Sequence, residues 1–288
     1  MNVSRISAEA GASGTQSIER AIALLLLVGR AGPAGARLSD LVLHASLPKP
    51  TVRRVLLALV RNGLLDQDAG SRRYHIGPEA YILGTLASAR FGIHALSMDG
   101  LARLARDSGD CAFLSVPRDT FAVCLHREEG RFPIRTHVLQ AGDRHPLGIG
   151  GGSLALLAAR PDAEVERVLS LNGEVMARTY PMFSPELLRE SVAETRQRGY
   201  ALNPGVLFPG SWGIGVALLG ADGRPVGALS IAAIESRLTP DRQQVLAPQL
   251  QREARLLEAA LSRTSGEAAP PPARTGRPAA RAAQKVRS

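Results

Sequence analysis

The chain is poor in cysteine, with 2 in 288 residues, and poor in aromatic side chains, which make up 4% of it. Cys111 and Cys124 cannot staple a chain of this length into a secreted disulfide framework, so a reducing cytoplasm is the expected setting. Long apolar runs are also missing. The longest, Ala21 to Val28, falls far short of the roughly 20 residues that span a bilayer, and no membrane partner is expected. That run could imitate the core of a signal peptide, with Ala34-Gly35-Ala36 as a cleavage site, but a long polar lead and the pair Glu19-Arg20 precede it. It reads as a buried helix. With 45% hydrophobic and 21% charged residues, the chain is neither wholly disordered nor collagenous, and it has room for about two domains.

The formal charge of +9 is unevenly placed. Residues 1–90 carry a net +5, residues 91–262 a net −1 and residues 263–288 a net +5. The last segment is rich in Ala, Pro and Arg and has Val286 as its only large apolar residue, so it is expected to be a disordered basic tail supplying sequence-independent charge. Residues 1–14 are expected to be a disordered lead. The structured positive charge therefore sits in the N-terminal third, where a nucleic-acid module would concentrate it.

Within that third, Ile18, Ile22, Leu25 and Val28 have helical spacing, ended by Gly29 and Gly32-Pro33. A short second helix is expected around Leu38, Leu41 and Val42, then a turn at Leu47-Pro48-Lys49-Pro50. The third helix opens at Pro50-Thr51 and places Val52, Val55, Leu56, Leu59 and Val60 on one stripe. Pro50, Arg54 and Arg61 project opposite that stripe, with Lys49, Thr51 and Arg53 flanking it. The outward face is basic and carries no acid. Two short strands, Leu64–Gln67 and Arg72–Ile76, complete a winged helix-turn-helix over residues 15–77. Lys49, Pro50, Thr51, Arg53 and Arg54 are the expected major-groove residues, with Arg72 and Arg73 on the wing reaching backbone or minor groove. The bland alternative is a solvated helix face. Its missing acids and its place after a helix and a turn favour the groove.

Thr15-Gln-Ser-Ile-Glu-Arg-Ala, Leu47-Pro-Lys-Pro-Thr-Val-Arg-Arg-Val-Leu, Asn62-Gly-Leu-Leu65 and Tyr74-His-Ile-Gly77 together resemble the IclR family of bacterial transcriptional regulators. Arg198-Gly-Tyr-Ala201, Asp222-Gly-Arg-Pro-Val226 and Ala228-Leu-Ser-Ile231 extend the resemblance to about residues 15–262. It implies an α+β chain. A winged helix-turn-helix is joined by a linker helix at 78–93 to a GAF-like effector-binding domain at 94–262, active as a homodimer or dimer of dimers on a double-stranded DNA operator. Helical patterns at 94–109, 153–171, 184–199 and 239–262 agree, as do strand-like runs at 112–116, 121–126, 134–140, 213–219 and 226–233, which suggest a largely antiparallel sheet.

The resemblance also implies a small-molecule pocket. It maps to the loop after Gly142-Asp-Arg144-His-Pro146-Leu147, namely Gly150, Gly151, Gly152 and Ser153, and to Asn203, Gly213, Ser230 and Ala232. Asn203 stands where the family has an acid, Gly213 where it has a cysteine and Ala232 where it has a serine, implying a roomier and less polar pocket. Gly150–Gly152 would present backbone N–H groups at the start of a helix, a seat for a carboxylate. The expected effector is a small carboxylate-bearing metabolite, an aromatic one included.

Two other classes compete. An enzyme with an accessory DNA-binding domain would need machinery that is not visible. Gly151-Gly-Ser153-Leu-Ala155 misses a nucleophile elbow at its last position, Cys124-Leu-His126 has no second pair of metal ligands, and the histidines are scattered. No cofactor or metal is expected. A sequence-independent DNA-coating protein would have no use for a near-neutral segment of 172 residues.

Overall fold

The computed structural model describes residues 15–88, 92–134 and 139–267. The N-terminal lead and residues 268–288 of the expected tail lie outside them.

The chain opens with α1 (Gln16–Arg30), α2 (Leu38–Ala45) and α3 (Lys49–Arg61). Ser46 in the left-handed region (φ 52°) ends α2, and Pro48 starts α3 with Pro50 in its first turn, where a missing N–H costs nothing. The apolar stripes converge on one small core of Leu24, Val28, Leu41, Val52, Leu56 and Leu59, closed by Leu65 and Tyr74. The last two belong to β1 (Leu65–Gln67) and β2 (Tyr74–Ile76), an antiparallel pair. Their connecting turn is held by the Asp68 carboxylate, which accepts from Ser71 N–H and Oγ. This is a winged helix-turn-helix.

After it comes α4 (Pro78–Ser88), then α5 (Ile93–Ser108), so Ile93 opens the helix that follows rather than ending the expected linker at 78–93. Strands β3 (Cys111–Arg118), β4 (Phe121–Glu128), β5 (Arg144–Pro146), β6 (Ala201–Asn203), β7 (Ser211–Leu219) and β8 (Pro225–Ile234) form one antiparallel sheet in the order β5-β4-β3-β8-β7-β6. The expected helix at 153–171 is two helices, α6 (Gly151–Ala158) and α7 (Asp162–Thr179), separated at Pro161, which has an extended backbone. Then come α8 (Pro185–Arg198), capped by the Ser184 hydroxyl, and α9 (Pro240–Glu267). The helix continues to Glu267, so the expected tail does not begin at 263. Of the expected strand at 134–140, residues 135–138 lie outside the described residues, and Ile134, Leu139 and Gln140 are not in a strand.

Strand alternation sends Leu114, Ile214, Leu229 and Ile231 to one face, where they pack with Leu104 of α5 and Leu250 of α9. The α6–α8 layer lies on the opposite face with its own core, including Leu156, Leu188, Ala201 and Ala228. Buried Asp110 ties the start of β3 to the segment before α9 and to the first turn of α9, accepting from Arg237 (2.9 and 3.1 Å) and Arg242 (2.6 Å). The result is an α/β unit of GAF-like arrangement, with small residues along the centre of the sheet where α6 crosses it.

Candidate nucleic-acid interface and effector face

The first turn of α3 has no acidic residue, and Lys49, Pro50, Arg53, Arg54 and Arg61 are exposed while Thr51 is half-buried. Burial of Val52, Leu56 and Leu59 on the opposite side fixes which way this basic face looks. On the wing, Arg72 is exposed at the turn, with a positive φ of 59°. Arg73 is half-buried, and its guanidinium donates to the carbonyls of Ala34 (3.2 Å) and Gly35 (2.9 Å). It braces the wing against the α1–α2 connection.

The residues expected around an effector meet on one sheet face. Asn203 pairs with Gly213, Gly213 with Ala232, and Ala232 with Cys111, making a continuous row across β6, β7, β8 and β3. The next row includes Ala201, Gly215, Ser230 and Phe113. The start of α6 lies on these rows. A Cβ on Gly151 would fall 2.9 Å from the Gly213 carbonyl carbon, one on Gly215 2.7 Å from that of Gly151, and one on Gly152 3.0 Å from Ser230 Oγ. The helix therefore approaches the sheet at a distance only glycine permits. Gly150, at φ 84°, turns the chain into α6.

Two expectations change. Gly213 adds no more space than a methyl group, because the position its Cβ would take is in ordinary contact with Gly151 N at 3.5 Å. Ser153 Oγ is engaged internally, donating to Pro146 O (3.1 Å) and accepting from Gly148 N–H (3.2 Å). At the Ala232 end is a narrow crevice walled by Cys111, Phe132 and Ile134, with no room for a water molecule. Cys111 and Phe132 carry no signal of this role in the sequence. Cys111 lies in the site through pairing with a strand 121 positions away. A wider cleft of about 590 Å³ lies at the far end of α6, but Arg160 and Arg224 pair with Glu164, Arg196 pairs with Asp162, and Asp222 also lines it, leaving no excess of either sign to select a ligand.

His145, between Arg144 and Pro146, is buried, and desolvation pushes its imidazole down to about 4, with a backbone hydrogen bond to Ile149 opposing the shift. The neutral ring is what the fold accepts. Stability from this site is present above the ordinary histidine value and is lost as pH falls from there through about 4, by about 3 kcal/mol in all. Denaturant unfolding of the parent should show this acid slope, and His145→Gln should flatten it. An unchanged slope would mean another group causes the acid loss.

Among the described residues no His, Cys, Asp and Glu cluster is arranged to hold a metal ion, and no helix is long and apolar enough to cross a membrane.

Two family models match the chain: the IclR helix-turn-helix domain over residues 17–69 and the bacterial transcriptional regulator IclR C-terminal domain over residues 86–259. The glycerol operon regulatory protein of Streptomyces coelicolor is 30% identical over 88% of this chain and 98% of its own. The HTH-type transcriptional repressor AllR of Klebsiella pneumoniae is 28% identical over 80% of this chain and 84% of its own. Among solved structures, an IclR homolog from Microbacterium hydrocarbonoxydans complexed with 4-hydroxybenzoate superposes with a TM-score of 0.67 at 21% identity, covering 85% of this chain and 98% of that one.

Proposed function

The chain belongs to the IclR family of bacterial transcriptional regulators, and from that premise we propose that it is an operator-specific homodimer released or recruited by a small carboxylate. It is a DNA-binding regulator rather than an enzyme. The acid-free outward face of α3 is the observation that carries the DNA-contact assignment. Lys49, Pro50, Thr51, Arg53 and Arg54 enter the major groove, Arg72 reaches the backbone beside it, and Arg73 acts by holding the wing in place.

The effector enters beside the start of α6, at the Ala232–Cys111 end of the row that begins at Asn203. Its carboxylate faces the first-turn N–H groups of α6, Ser230 and Asn203 supply polar contacts, and its body lies toward Ala232. The 4-hydroxybenzoate bound by the Microbacterium protein is a ligand of this chemistry. The crevice is narrow, so its walls part on binding, and the response follows if the effector favours one of two arrangements of the dimer. An operator selected from a random-sequence duplex pool with the full chain supplies the assay. Titration with 4-hydroxybenzoate and short aliphatic carboxylates, against the matching amides, should change operator affinity with the acids alone. Trp212, the sole tryptophan, neighbours Gly213 and should report binding by fluorescence. A response to amides equal to that of the acids overturns the carboxylate seat.

Ile18, Ile22 and Leu26 on α1 and Tyr81, Ile82, Leu83 and Leu86 on α4 are exposed in the single chain. Apolar side chains so concentrated are covered by a second copy in the homodimer. Leu86, 73% exposed, touches too little of its own chain to affect folding. Leu86→Glu should shift sedimentation from dimer to monomer and weaken operator binding, and a parent-like dimer would place the interface elsewhere.

A further inference from the structure

A chain of three titratable side chains at the start of α5 has no part in operator or effector binding. His94 Nε2 lies 3.3 Å from His126 Nδ1 with the rings edge to face, and His126 Nε2 lies 3.2 Å from Glu128 Oε2. His94 is in the first turn of α5, while His126 and Glu128 are on β4. His94 is exposed and His126 and Glu128 are half-buried, and among the described residues their neighbours are apolar or already paired. Beside them β3 presents Leu114 and Ala112, and β8 presents Leu229 and Ile231. From α9 the facing charges are Glu253 and Arg252, and Glu253 is paired with Arg103 further along α5. Asp99 on α5 lies beyond the first turn and interacts with Arg103. On β4, Arg127 pairs with Glu129 (3.0 Å) and reaches Cys111.

We propose that His94, His126 and Glu128 form a proton-sensitive latch, which ties the first turn of α5 to β4 and loosens when both imidazoles are protonated, lowering operator affinity. In the neutral array, His126 Nε2–H donates to Glu128, leaving His126 Nδ1 to accept from His94 Nε2–H. One added proton is accommodated, since an imidazolium still donates to the lone pair of the other ring. A second removes that lone pair and sets N–H against N–H between two like charges. The pair therefore takes up its protons in two coupled steps, and the second breaks the contact. Burial, and then the His126 charge, already hold His94 below the usual imidazole range, so the opening step falls on the acid side of neutrality.

The consequence for DNA rests on family membership and on the position of α5. α4 follows the helix-turn-helix and α5 is the next described helix in chain order, so the first turn of α5 lies where the chain from the DNA-reading unit enters the effector unit, and the latch anchors that entry. Loosening that anchor gives the two DNA-reading units of a dimer more freedom, which an operator of fixed half-site spacing must then remove on binding.

The test uses the full chain, His94→Gln, His126→Gln and the double variant, between about pH 8 and about pH 5. Histidine ring signals in nuclear magnetic resonance should show coupling between His94 and His126 in the parent, with the His94 titration moving part of the way up in His126→Gln, because the burial of His94 remains. Amide exchange at Leu96 and Ser97, corrected for intrinsic rate, should rise about tenfold at the acid end in the parent and stay level in the double variant. Affinity for the selected operator should fall more steeply with acid in the parent than in the double variant. Independent titrations unchanged by His126→Gln overturn the latch itself, whatever the DNA result. Coupled titrations with parallel operator affinities in parent and double variant overturn the regulatory claim while leaving DNA recognition by α3 untouched.

Discussion

Replacing Arg54 or Arg53 by alanine should abolish most of the preference for the selected operator while leaving the fold intact. Both are exposed on the face of α3 opposite Val52, Leu56 and Leu59, so neither truncation opens the core. An arginine that reads a guanine edge discriminates by about 1–3 kcal/mol, and a homodimer doubles that because the guanidinium is removed from both half-sites. Expected losses are therefore about 30-fold or more on the operator and much smaller on a random duplex. Salt dependence separates the two roles an arginine can have here. One that only neutralises phosphate lowers affinity evenly across sequences when it is removed, and in the proposed homodimer each substitution reduces the slope of log affinity against log salt by about 2, about 1 for each guanidinium lost. Arg61, exposed at the other end of α3, is the internal control and should change little when made alanine. If Arg53→Ala and Arg54→Ala both bind the operator like the parent, the groove-facing surface has been assigned wrongly.

That the basic face is readable at all reflects its local origin. The 3.6-residue period of Val52, Leu56 and Leu59 fixes both the helix and the direction of its polar side without reference to the rest of the chain. The family resemblance supplies the effector positions, but neither spacing nor composition shows how they sit. Asn203, Gly213, Ala232 and Cys111 become neighbours only through pairing between strands far apart in sequence. The three-residue strands β5 and β6 carry too short a pattern to be seen, and they exist because longer strands offer them partners. Pro161 is a visible break, but Val165, Val168 and Leu169 continue a helical spacing past it and disguise two helices as one. Arg73 illustrates the same limit on a surface residue. As a wing arginine it reads as a DNA contact, and its use as a brace depends on carbonyls at Ala34 and Gly35.

The glycines are where a local reading and the structure differ most, and they give the second large effect. Read one at a time, Gly151 supplies an exposed N–H and Gly213 supplies space, yet the Gly213 backbone occupies the place a Gly151 side chain would take. Gly151→Ala would put a methyl 2.9 Å from the Gly213 carbonyl carbon and 3.0 Å from its oxygen, and Gly215→Ala one 2.7 Å from the backbone of Gly151. Neither neighbour is a flexible side chain that can move aside. All of α6 is buried, so relief requires shifting a helix whose Leu156 and Leu157 are also packed, at a cost of about 3 kcal/mol or more. For a unit of this size that lowers the midpoint of thermal unfolding by about 6–12 °C. Gly152→Ala should cost less, because its methyl meets the Ser230 hydroxyl at 3.0 Å and Ser230→Ala in the same chain relieves it. Gly150→Ala meets nothing within 4 Å, and its cost of about 1–3 kcal/mol is the strain of an L-residue at φ 84° and ψ 163°, a region nearly closed to side chains. The helix-turn-helix core around Leu24, Leu56 and Leu65 is separate, so it should unfold as in the parent while the effector unit melts earlier. Calorimetry of the four variants therefore ranks Gly215 and Gly151 ahead of Gly152 and Gly150, with Ser230→Ala rescuing Gly152→Ala and not Gly150→Ala. A Gly151→Ala chain as stable as the parent would show that α6 does not rest on the sheet this closely, and the carboxylate seat built on that contact would go with it.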